Sequence, residues 1–88
     1  WIEEFYTFYT VSSTEWGYPR DFVPDTWIDI SIFLERKRKA FECYTSEIRV
    51  YPHPRSTKSL ENQSHFWGNQ CCMDSAEVLM TIRRTIRK

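Results

Sequence analysis

Glycine is almost missing from this chain: its 88 residues contain two, Gly17 and Gly68. A glycine-rich loop that cradles phosphate by close backbone approach is therefore excluded. An excess of one charge is missing as well. Twelve basic and twelve acidic side chains cancel, so no strong overall field draws the chain to nucleic acid or to an anionic membrane. Neither is expected as a partner. No apolar run approaches the length of a membrane span, and no signal peptide opens the sequence. Cysteine is scarce and wrongly arranged for a disulfide framework, since Cys43, Cys71 and Cys72 are odd in number and include an adjacent pair. That usage favours a reducing compartment, and the cytoplasm is the expected location.

What the chain has in excess is aromatic surface. Six Phe, five Tyr and four Trp make up 17% of the residues. Aromatic side chains bury large areas and normally find partners in a core or an interface. A chain of this length is one small domain at most and builds only a modest core. Much of the aromatic surface is therefore expected to meet another polypeptide. The chain also opens on Trp1 rather than Met, so a single partial domain over 1–88 is expected, part of something longer.

Local patterning gives an α/β fragment in the order β–α–α–β. Glu3 to Val11 is dense in aromatic and β-branched residues, with apolar groups on both alternating faces. It reads as a strand covered on both sides. Ser12 to Thr26 follows as a long loop punctuated by Gly17, Pro19 and Pro24. The next segment predicts a helix over Ser31–Tyr44, with Ser31 as N-cap and Phe33, Lys37, Ala40, Phe41 and Tyr44 on one face. Lys37 lays its methylenes along that stripe with its ammonium at the edge. Arg36, Arg38 and Lys39 read as a solvated face near Glu35 and Glu42 rather than as a nucleic-acid contact. Ser56–Asn69 reads as a second helix, with Leu60, Ser64 and Trp67 on one side and Gly68 as a C-cap. Finally Ala76, Val78, Met80 and Ile82 alternate with Glu77, Leu79, Thr81 and Arg83, which is strand periodicity and fits an edge strand over Ala76–Arg83.

The chemistry-bearing residues are few. Tyr51 to Ser56 packs Pro52, His53, Pro54 and Arg55 into one stiff corner, because each proline fixes its own φ and restrains the residue before it. Ser56 is placed to accept from the free N–H groups of the following helix. The corner serves either as the start of that helix or as a loop facing a ligand. His53, His65, Cys71 and Cys72 are the only candidates for a metal centre, and their spacing fits no familiar ligand pattern. Glu77 is either an outward glutamate on a strand or a functional carboxylate.

Two blocks carry a more specific pattern. The first contains Asp29-Ile30-Ser31, Lys37, Ala40 and Tyr44-Thr45-Ser46-Glu47; the second contains His53-Pro54-Arg55-Ser56, Gly68 and Ala76-Glu77. In this order they resemble the C-terminal portion of the PIG-L (LmbE-like) family. These zinc-dependent enzymes remove acetyl groups from N-acetylglucosamine-type conjugates. Tyr44 and Glu47 stand where that family commonly has His and Gln, and Trp67 stands where Arg is frequent. The resemblance implies a segment that completes a Rossmann-like sheet and walls the substrate side of the pocket, with His53, Arg55, Ser56 and Glu77 as substrate-side residues. The family's zinc ligands, from a His-Pro-Asp-Asp motif and a later His, match no position here. No catalytic residue, metal ligand or cofactor is therefore assigned to this segment. The implied partners are an N-terminal part or a second copy, with the sugar conjugate bound only by a complete enzyme.

Overall fold

The computed structural model describes residues 2–10, 13–17 and 21–87. Trp1, Val11, Ser12, the loop residue Pro19 and its neighbours, and Lys88 lie outside the described residues. The elements run β1 (Glu4–Phe8), a single turn α1 (Ser13–Trp16), β2 (Thr26–Asp29), a 3-10 turn (Ser31–Phe33), α2 (Leu34–Glu42), α3 (Thr57–Asn69) and β3 (Ala76–Arg84). The class is mixed α/β, as the sequence predicts.

β3 is not an edge strand. It lies at the centre of a three-stranded sheet of order β1-β3-β2, with both pairings antiparallel. The unexpected neighbour is β2, four residues too short to show a periodicity of their own. Tertiary pairing makes it a strand: Trp27 opposes Val78 and Asp29 opposes Ala76. Asp25 fixes the register from just outside, accepting from the Thr81 N–H at 3.0 Å and the Thr81 hydroxyl at 2.9 Å. Its carboxyl is held below the ordinary value of 3.8, first by the Thr26 hydroxyl and then by the Thr81 N–H. At the other edge, β1 slips register between Phe5 and Tyr6. This strand was expected to be covered on both sides. It is instead an edge strand with Phe5 and Phe8 exposed.

α3 packs on β3 and against α2. Its buried side carries Leu60, Ser64 and Gly68, which meet Ala76 and Val78 of β3 within a small core completed by Ile30. Ser56 caps α3 as the sequence predicts, its hydroxyl accepting from the Ser59 N–H at 3.1 Å. Gly68 is not the C-cap. It lies inside α3, where a Cβ would come within 2.8 Å of the Met73 carbonyl oxygen and of the Ser75 backbone N and Cα. Its role is to let the helix touch the backbone that leads into β3. The helix stops with the Met73 N–H bonded to the Gly68 carbonyl at 2.9 Å and the Cys72 N–H to that of Asn69 at 3.3 Å. This is the Schellman arrangement, and its left-handed position, usually glycine, is filled by Cys72 at φ 59°.

Two expectations for α2 also change. Ser31 does not cap a helix: its hydroxyl donates to Asp29 at 2.6 Å and accepts from the Ser75 N–H at 3.2 Å, tying the end of β2 to the start of β3. The Ser31 hydroxyl, ahead of its N–H, also holds the Asp29 carboxyl below its ordinary value. The helix proper begins at Leu34, after a 3-10 turn and with no side-chain cap. The apolar stripe is not buried either. α2 has no buried residue, Phe33 is 47% exposed and Tyr44 65%, Ala40 is exposed and Phe41 only half-buried. The side that meets α3 is polar: Arg38 pairs with Glu35, with Glu42 at 2.7 Å and with Glu61 of α3 at 3.4 Å. Among the described residues, no helix is long and apolar enough to cross a membrane.

Candidate functional site

The corner before α3 is held from several directions. The His53 N–H bonds to the Val50 carbonyl at 3.0 Å and the Ser56 N–H to that of His53 at 2.9 Å. His53 Nδ1 accepts the Arg55 N–H at 3.0 Å, so a neutral His53 ring carries its proton on Nε2. The ring also stands edge-on to Trp16, with centroids 5.1 Å apart. Arg55 gives one Nη1 donor to Glu47 at 2.6 Å, while its buried Nε has no partner among the described residues. Glu47 belongs to the turn after α2, so this ion pair pins that turn to the start of α3. The result is a rigid corner with guanidinium donors to spare.

Glu77 lies elsewhere. It reaches Lys37 of α2 at 3.3 Å across the mouth of an open groove of about 290 Å³. Phe8 and Tyr9 from the end of β1, Trp67, Leu60 and Gln63 from α3, and Val78 of β3 line the rest. Tyr9 meets Trp67 edge-on at 5.7 Å. The groove is thus largely apolar, with one ion pair at its edge. His53, Arg55 and Ser56 come together at the corner and do not line it. Ser56 is buried and engaged as the cap, so of the three only His53 and Arg55 remain as candidates for a ligand contact. Local pattern puts Trp67 on the Leu60–Ser64 side of α3, but not its meeting with Tyr9, which lies just past β1 and reaches Trp67 only through tertiary packing. Lys37 offered a signal, since its place on the apolar stripe put an ammonium at that stripe's edge.

A second constellation joins Ser75, His65 and Asp74. The His65 Nδ1–H donates to the Asp74 carbonyl at 2.8 Å, and the Ser75 hydroxyl lies 3.1 Å from the same nitrogen and donates to the Asp74 carboxylate at 3.0 Å. A nucleophilic triad needs the hydroxyl on one ring nitrogen and the carboxylate on the other. Here a single nitrogen faces both partners, and Ser75 has no exposed surface. The cluster locks the start of β3. Zinc fares no better: among the described residues, no three His, Cys, Asp or Glu gather to hold a metal ion. His53 and His65 are engaged at separate places, and the three free thiols lie exposed at the ends of α2 and α3.

No family model, curated protein or solved structure matches this chain.

Proposed function

We propose that this chain is the C-terminal, substrate-side part of a PIG-L-type deacetylase acting on N-acetylglucosamine-type conjugates, with a further stretch of polypeptide supplying the metal site. What supports this most is apolar surface left uncovered on two elements, the Phe33–Tyr44 stripe and the β1 edge with Phe5 and Phe8. A domain that folds for its own sake covers such surface; one that folds against more sheet leaves it open. The residue pattern from Asp29 to Glu77 points to the deacetylase family as the source of the missing sheet, which would be Rossmann-like. In this reading the metal site and bond cleavage belong to the further polypeptide, and this chain contributes binding. Arg55, positioned by Glu47 and with donors free, suits a polar or phosphorylated sugar conjugate, and the Tyr9–Trp67 groove with Glu77 and Lys37 offers an apolar wall with a charged edge. Three free thiols agree with a cytoplasmic setting.

The coding sequence upstream of Trp1 tests this reading. A His-Pro-Asp-Asp motif there, followed by a later His, supports it; an unrelated domain contradicts it. A second reading, an interaction module that pairs with its own copy, draws on the same open β1 edge and differs in outcome. It requires that no deacetylase motif stand upstream.

A further inference from the structure

We propose that Cys71 and Cys72 form a two-sulfur site for a thiophilic trivalent metalloid, an organoarsenical being the simplest example. Both thiols are free and exposed, and they follow one another in the turn that ends α3. Cys72 holds the left-handed position of that turn at φ 59°, where a side chain is disfavoured and glycine is the usual choice. A strained non-glycine residue of this kind points to a use for its side chain. The turn itself is firmly held: the Met73 N–H reaches back to the Gly68 carbonyl at 2.9 Å, and the Asn69 side-chain amide donates to the Met73 carbonyl at 3.2 Å. The two thiols are therefore presented on a fixed turn.

Direct oxidation suits this pair poorly. Neighbouring Cα atoms stand about 3.8 Å apart, whereas an unstrained disulfide wants roughly 4.4–6.8 Å. A larger atom placed between the sulfurs lengthens the link and removes the mismatch. Zinc is a poor occupant, because a structural zinc takes four ligands and the described residues gather no third donor here. A monovalent soft cation bound by two thiolates would leave a net negative complex. That complex would stand at the C-terminal end of α3, where the helix dipole makes the potential negative, with the acidic Asp74 two residues on. A trivalent organoarsenical avoids this. Two S–H and two As–OH bonds are exchanged for two As–S bonds and two waters, arsenic stays trivalent, and the product is neutral.

The experiment is a titration of the whole chain with phenylarsine oxide, followed by native mass spectrometry. One equivalent should bind, survive excess glutathione, and leave when a small dithiol is added. Cys43→Ser should bind as the unaltered chain does. Cys71→Ser and Cys72→Gly should each bind at least roughly tenfold more weakly, the loss expected when two-point attachment becomes one-point. Glycine suits the left-handed position, so Cys72→Gly should keep its circular dichroism, which separates lost binding from lost fold. Equal binding by the unaltered chain and a folded Cys72→Gly, or a loss that follows Cys43, overturns the proposal.

Discussion

The α3–β3 packing on one hand, and α2 and β1 on the other, each carry an apolar face in sequence and end in opposite states. On the first, Leu60, Ala76 and Val78 are buried, Gly68 closes the backbone approach, and Ser56, Ser64 and Ser75 are buried as well. The Ser64 hydroxyl donates to the Leu60 carbonyl at 2.9 Å and so keeps its polar group satisfied. On the second, α2 buries nothing and β1 keeps Phe5 and Phe8 exposed. The difference shows that a hydrophobic periodicity does not by itself decide whether an element is covered within this chain. The stripe on α2 has a helical period, yet Phe33, Ala40 and Tyr44 stay exposed and its Lys37 is held by Glu77.

Substitutions separate the two sides most sharply at the core. Leu60→Ala should cost about 3 kcal/mol in denaturant unfolding, as truncation of a buried leucine usually does. Gly68→Ala should cost about 2–3 kcal/mol, because the added methyl meets three backbone atoms at 2.8 Å and backbone gives way only with overpacking strain. Ser56→Ala should cost about 1 kcal/mol, the usual loss of an N-cap. Acid should act less, and on the β2 edge. The Asp25 and Asp29 carboxyls lie below their ordinary 3.8 in the folded chain, so their contribution is complete above that value and is lost as pH falls below it. A thermal-unfolding series across that range should show Asp25→Asn less acid-sensitive than the unaltered chain; equal sensitivity would remove Asp25 as the register pin. The smallest effect belongs to Phe33→Ala. In the dissociated chain it should cost under about 0.5 kcal/mol, and a core-sized loss there would erase the distinction between the two sides.

The sequence made legible what local chemistry decides. Ser56 precedes a helix with free N–H groups, and Ala76 and Val78 alternate with Glu77 on a strand; both features stand in the fold as read. It hid what tertiary contact decides. β2 is four residues that become a strand only beside β3. Ser31 has the look of a cap, but Asp29 lies two residues before it and competes for its hydroxyl. Gly68 has the look of a helix terminator because a close approach between backbones leaves no local mark. Of the candidate site, His53, Arg55 and Ser56 were bound to be neighbours by sequence. The distance from Glu77 to that corner, and its nearness to Lys37, depended on how α2 packs against α3.

Light scattering over a dilution series tests the uncovered face most directly. At micromolar concentration the chain should run above its 10.7 kDa monomer mass and dissociate on dilution, with Phe33→Ala and Phe8→Ser weakening the association while leaving the fold intact. A monodisperse 10.7 kDa monomer that binds no dye for exposed apolar surface would contradict it, and would mean that the small α3–β3 core suffices.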